Sequence, residues 1–153
     1  MQNIKVRIAT RDDAQSIANF NVIFAKKITN KKLSLPTTVA GVHHVFQTFN
    51  NGFYLVAEEN TKIVGATMIT TEWSDWNNGL FYCIQSIYVD DNQDKDIIHD
   101  ALFNKAKDLA KEHNEVCGLR VYVDELDEAL KKQYENLGLK KTKYVLFEEE
   151  FLN

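Results

Sequence analysis

The chain has 153 residues, 44% of them hydrophobic and 26% charged, with 22 acidic residues against 18 Lys plus Arg and a formal net charge of -4. That length builds one core rather than two, and the acidic balance gives no general attraction to phosphate, which argues against nucleic acid as a partner. No apolar run reaches the ~18 residues of a membrane span, and residues 1–10 alternate Lys and Arg with aliphatics rather than resembling a signal peptide, so one cytoplasmic domain over 1–153 is expected.

Val6 and Ile8 alternate with Lys5 and Arg7, which predicts a first strand ending near Thr10. Asp12 and Asp13 then open a helix whose stripe is Ile17, Phe20 and Phe24 with the small residues Ala14, Ala18 and Ala25. The Lys-rich stretch 26–32 reads as a solvated loop. Pro36 suits the first turn of a second helix, with Val39, Val42, Val45, Phe46 and Phe49 on its face. His43 and His44 lie on that helix, where surface and core edge are the ordinary places for them.

Residues 53–58 and 62–71, joined by Glu59-Asn60-Thr61, read as a hairpin, and 80–89 as its longer antiparallel partner. A helix over 96–112 turns Ile98, Ala101, Leu102, Ala106 and Leu109 inward. A strand over 119–123 follows, then a helix over 125–137 ended by Gly138, which accepts positive φ without strain. A last strand is predicted over 144–151, and its edge would offer a surface for a homodimer. The helix between the fourth and fifth strands demands a right-handed crossover, making that pair parallel in an otherwise antiparallel α+β sheet. Cys83 and Cys117 stand alone in apolar segments without metal-ligand spacing, so reduced core thiols are expected and no metal.

Three stretches carry a resemblance. Glu72-Trp73-Ser74-Asp75-Trp76-Asn77-Asn78-Gly79 followed by Ile84-Gln85-Ser86-Ile87-Tyr88-Val89 is similar to a bacterial subgroup of the GNAT N-acetyltransferases with a pattern close to EWSDWRNG and IQSVYV. Cys117-Gly118-Leu119-Arg120-Val121-Tyr122-Val123 and Tyr134-Glu135-Asn136-Leu137-Gly138-Leu139 resemble that family's fifth strand and its AxxxYExLGM ending.

The resemblance implies a sheet whose fourth and fifth strands part at their C-terminal ends, with the pantetheine arm of acetyl-CoA pairing like an extra strand on Ile87, Tyr88 and Val89. It implies that Tyr134 donates a proton to the departing thiolate, although a core tyrosine at helical spacing from Leu130 and Leu137 is an equal reading. Glu72, Trp73, Asp75 and Trp76 would cage a cationic amine of a small molecule or peptide, through carboxylates and ring faces. Gln85 stands on the acceptor side of the strand where related enzymes place an acid, and an amide cannot act as a base.

The chain departs from the family at the diphosphate loop. In that alignment Asp91 stands for the proline, Asp94 for the arginine, Ile97 for the first glycine and His99 for the last small residue. Asp90, Asp91, Asp94 and Asp96 against Lys95 place four acids and one cation where a diphosphate would approach a helix N-terminus. Lys95 is the one cation left for the cofactor, and Asp127 takes the family's asparagine position on the cofactor side. Two functions remain open: an acetyltransferase that tolerates a poor phosphate site, and a GNAT-fold binding or regulatory module that no longer uses acetyl-CoA.

Overall fold

The structure, a computed structural model, describes residues 3–151, which divide into two units, one ending at Tyr122 and the other beginning at Val123. Within the first, strands β1 (Ile4–Ile8), β2 (Phe53–Glu59), β3 (Lys62–Ser74), β4 (Gly79–Val89) and β5 (Val116–Val121) form one sheet in sequential order. β1 to β4 pair antiparallel and β4 pairs β5 parallel, the arrangement the sequence predicts. Helix α3 (Lys95–Glu112) makes the crossover, because parallel neighbours cannot be joined by a tight turn.

Two helices cover one face of the sheet. Helix α1 (Ala14–Thr29) and α2 (Leu35–Gln47) pack Ala14, Ile17, Ala18 and Val42 against Tyr54, Val56 and Ala66. The alternation of strand side chains sends Leu55, Ala57 and Ile69 to the opposite face, where α3 lies. Gly65 shows how close that approach is: a Cβ there would stand 2.8 Å from Ile98 Cγ2 and 3.2 Å from Leu102 Cδ1 of α3. Phe103, fully buried, belongs to the same apolar stripe of α3 as Ile98, Leu102 and Ala106.

Local chemistry sets the element ends. Thr10 donates its backbone N–H to Asp13 Oδ2 at 2.8 Å, which fixes the short 3-10 turn Arg11–Asp13 ahead of α1. Lys26 and Lys27 lie in the last turn of α1 and not in the loop expected over 26–32, since cations there oppose the partial negative charge of the helix C-terminus. Ser34 caps α2 by accepting from the Thr37 N–H, with Pro36 in the first turn. Phe49 falls in a 3-10 turn, Phe49–Asn51, beyond α2. Asn60 and Thr61 both have positive φ, the geometry a two-residue hairpin needs to match strand twist.

The second unit is built on α4 (Glu128–Asn136), shorter at its start than the predicted 125–137 because Asp127 caps it, its carboxylate accepting from the Leu130 N–H at 2.9 Å. Gly138, at φ 98, closes it: Leu139 N–H reaches Tyr134 C=O and Gly138 N–H reaches Glu135 C=O, both at 3.0 Å. Lys131 and Lys141 both reach Glu125 Oε1, at 3.1 and 2.9 Å.

The strand predicted over 144–151 is absent. That segment is coil, and Tyr144, Val145, Leu146, Phe147 and Phe151 are all at least 71% exposed. Alternation and β-propensity favour extended backbone there, but a strand exists only through a ladder, and no described residue supplies one. β5 also lies earlier than predicted, at 116–121 instead of 119–123. Among the described residues no helix is long and apolar enough to cross a membrane.

Candidate active site

The register of β4 makes the site. β3 and β4 pair Thr67 with Ile87 and then Ile69 with Ile84, so β4 carries one residue more than β3 between these points and bulges at Gln85 and Ser86. The period-two pattern of the sequence breaks at the same place, where Ile84 and Ile87 are three apart.

β4 and β5 pair from Leu80 with Val116 to Ile84 with Val121, and their pairing ends at the bulge. Asp90 N–H donates to Val64 C=O at 2.9 Å. Because antiparallel pairs alternate, Tyr88 exchanges its backbone bonds with Ala66 of β3, while the N–H and C=O of Ile87 and Val89 turn to the β5 side. Among the described residues no strand pairs with them there. These groups are an open ladder rung beside a half-buried pair of side chains, which suits an extended arm carrying amide groups.

Tyr88 belongs to the other face. Its ring stacks on Phe20 at 4.6 Å and meets Phe24 edge-on at 5.7 Å, and burial pushes its phenol pKa up. Beside it opens a cavity of about 210 Å³ between α1 and the bulge. Asn21, Thr67, Gln85 and Ser86 give it polar atoms, and Ile17, Phe24 and Met68 are among its apolar walls. Among the described residues no charged side chain lines it. Its volume is below the ~300–1,000 Å³ of a whole drug-sized ligand, enough for one end of a substrate.

Two polar groups at this place are informative. Gln85 donates from Nε2 to Thr70 Oγ1 at 2.7 Å, which aims its amide across to β3. Thr67, whose side chain shares the α3 face with Leu55, is 2% exposed and its hydroxyl is a buried oxygen without a hydrogen-bond partner, an uncommon state for a native interior. Thr67, Ser86, Asn21 and Tyr54 were not singled out by the sequence. Only the broken alternation near Ser86 could have signalled them.

The β3–β4 hairpin tip stands apart from the cavity. Trp73 is six residues from Thr67 along β3, roughly 20 Å at ~3.4 Å per residue, and it is 59% exposed while Trp76 is 90% exposed. Asp75 shares the exposed turn, where its carbonyl accepts from the Asn78 N–H. Glu72 is engaged: Oε1 lies 3.4 Å from Arg120 Nη1, Oε2 accepts from Cys83 Sγ at 3.8 Å, and the Arg120 guanidinium sits 3.7 Å over Phe81. Burial first, and Glu72 second, push the Cys83 thiol pKa up, so it stays a thiol. Cys117 is exposed, contrary to the expected core thiol, and neither cysteine is in a disulfide.

The turn before α3 differs in charge from its sequence. Asp91 Oδ1 pairs with Lys95 Nζ at 2.7 Å and with Lys27 Nζ from α1, and Lys62 reaches Asp90 at 3.6 Å. Four aspartates therefore face three lysines, not one. Lys27, and then Lys95, hold the Asp91 carboxyl at about 2. Asp94 caps α3 by accepting from the Ile97 N–H at 3.2 Å, so one of the helix's free donors is already used by its own carboxylate. Ile97 is exposed where a phosphate seat needs bare backbone.

The arm of acetyl-CoA fits the open edge of β4, and its diphosphate fits the turn poorly. Tyr134 and Asp127 lie in the second unit, Tyr134 buried at 6% and Asp127 as the α4 cap. His43 and His44 are exposed.

No family model matches the sequence, and neither does a curated protein. Solved structures do. One, a possible acetyltransferase from Clostridium difficile 630, is 35% identical, with a TM-score of 0.89 over 98% of this chain and 99% of its own. The chain belongs to the acetyltransferases of the GNAT fold. Two further structures share the fold of this acetyltransferase relative at lower identity. An aminoglycoside acetyltransferase from an uncultured soil metagenome, in complex with sisomicin, is 17% identical, with a TM-score of 0.79 over 98% of this chain and 97% of its own. An aminoglycoside N-acetyltransferase in complex with CoA is 10% identical, with a TM-score of 0.80 over 98% and 96%.

Proposed function

We propose that the protein is an N-acetyltransferase moving an acetyl group from acetyl-CoA to a primary amine of a small molecule or peptide by direct transfer. The observation that carries this reading is the end of β4–β5 pairing at Ile84, which leaves Ile87 and Val89 to hold the substrate's amide-bearing arm. Similar structures named for aminoglycoside acetylation support a small amine as acceptor.

The reacting nitrogen enters the uncharged cavity by Gln85 and Ser86 as the free amine, and its lone pair forms the C–N bond as the C–S bond breaks. A nitrogen proton leaves to solvent, since the cavity wall holds neither carboxylate nor imidazole. Backbone N–H on the open edge steadies the carbonyl oxygen as it gains charge. Tyr134 is assigned the thiolate's proton from the sequence resemblance alone. Lys95 is the cation nearest in sequence to the diphosphate turn and Lys27 shares its Asp91 partner, and Glu72, Trp73, Asp75 and Trp76 are assigned to the cationic acceptor from the resemblance.

The test is thiol release from acetyl-CoA in the presence of a panel of primary amines, in wild type and Tyr134→Phe. Turnover falling roughly 100-fold or more in the variant with unchanged acetyl-CoA affinity supports the assignment of Tyr134. An unchanged rate removes it. The second reading, a module that no longer transfers acetyl groups, draws on the self-capped α3 N-terminus, and it prevails if no amine elicits thiol release.

A further inference from the structure

Resting on the acetyl-transfer reading above, we propose that the buried end of the acceptor is a primary amine carried by a short apolar body, a ring on a brief carbon chain, and that any further charged group of the acceptor stays outside the cavity. The size and lining of the cavity set this class. Phe24, Tyr54, Met68 and Tyr88 are among the residues around a space of about 210 Å³. An apolar cavity of about 150 Å³ takes a benzene ring, so this one takes a ring and roughly two more carbons. Aromatic neighbours and a thioether favour a ring over a plain chain of the same area.

Charge excludes the polyamine alternative. Among the described residues no carboxylate lines the cavity, and its phenols supply no anion: burial pushes Tyr54 up to about 12, and burial first, then Asp91 and Asp90, push Tyr88 up. An ammonium brought here gives up its hydration without meeting a counter-charge, and a second ammonium on the same buried chain repeats that cost. A lone amine escapes it by losing its proton before entry. Asn21 and Gln85 suffice to hold a neutral nitrogen. The bond from Gln85 Nε2 to Thr70 Oγ1 uses a donor of the amide and leaves its carbonyl oxygen to accept an amine N–H. Glu72 and Asp75, on the β3–β4 hairpin, bear only on parts of an acceptor that lie outside the cavity.

Two readouts separate the ligand class from acetyl transfer itself. The first is kcat/KM for thiol release from acetyl-CoA with 2-phenylethylamine and with spermidine, each corrected to its fraction of free amine. 2-Phenylethylamine should exceed spermidine roughly 30-fold or more, and Asn21→Asp, which adds one carboxylate at nearly constant shape, should narrow that ratio roughly tenfold. Spermidine used as well as 2-phenylethylamine would overturn the proposed class and leave acetyl transfer standing. The second is calorimetric titration with N-acetyl-2-phenylethylamine, the uncharged product, which needs no turnover. It should bind the wild type at submillimolar concentration and Phe24→Ala roughly tenfold more weakly. No heat at millimolar concentration, or equal affinity in the two proteins, would overturn the proposed class. Binding of this product to the cavity without thiol release from any amine would remove acetyl transfer and keep the apolar ligand.

Discussion

Lys27, in the last turn of α1, is bonded to Asp91 across 64 residues of sequence, and the same carboxylate oxygen holds Lys95. Asp91 thereby occupies two ammonium groups beside the turn where a diphosphate would arrive. Replacing it with alanine should release both toward the ligand. We expect Asp91→Ala to tighten acetyl-CoA binding roughly three- to tenfold at low salt, with the gain shrinking as ionic strength rises. Calorimetric titration at two salt concentrations checks this, and weaker binding by the variant would show that Asp91 does not compete with the ligand.

Arg7 ties three elements together through Asp13, at 2.7 and 3.0 Å, and Glu58, at 2.8 Å. Asp13 is 7% exposed, so Asp13→Ala strands a guanidinium and should cost about 2–4 kcal/mol of stability in urea unfolding. A loss below about 1 kcal/mol would mean that water replaces the carboxylate.

Acid should weaken the fold in two stages. Desolvation is the largest influence on His99 and lowers its pKa from 6.5, with Asp100 acting the other way. Below pH 6.5 the unfolded chain takes up a proton that the folded chain resists, so stability falls as pH drops from there toward the lowered value. Arg7 lowers Asp13 from 3.8, so its contribution is present above 3.8 and is lost as pH falls through the lower folded value. His99→Gln should flatten the first limb and leave the second, as measured by urea midpoints across pH.

Much of the sheet was legible because β2, β3 and β4 are apolar, aromatic and β-branched runs set between turn signals, and the turn residues Asn60 and Asn78 sit where positive φ is needed. The parallel β4–β5 pair followed from the intervening helix. Residues 144–151 misled for a physical reason: their alternation specifies an extended shape but not a neighbour. At the site, the stretch from Ile84 to Val89 pointed to the open edge, while Lys27 gave no signal, because its meaning depends on Asp91 being brought to it by the fold. The cavity was also hidden, since Asn21, Thr67 and Ser86 become one wall only through the bulge of β4.

Thr67 buries a hydroxyl with no partner. Thr67→Val keeps the shape and removes that oxygen, so stability should hold or rise by up to about 1 kcal/mol. The hydroxyl shares the α3 face of the sheet with Leu55 and points away from the cavity, so the acceptor KM should not change in the same variant. A stability loss above about 1 kcal/mol would show that the hydroxyl has a water partner.

With no base on the cavity wall, the acceptor must arrive deprotonated. The logarithm of kcat/KM should rise with unit slope up to the acceptor's own amine pKa, and acceptors of lower pKa should shift the whole profile to lower pH. A break that stays at one pH for every acceptor would instead reveal a protein base.

Titration calorimetry with acetyl-CoA and with acetyl-pantetheine, which lacks the diphosphate, tests directly whether the open edge of β4 beside Ile87 and Val89 holds the thioester arm. Both ligands should bind, with affinities within roughly tenfold of each other, because the arm and not the diphosphate supplies most of the contacts. Absence of heat with either ligand at millimolar concentration would contradict the account.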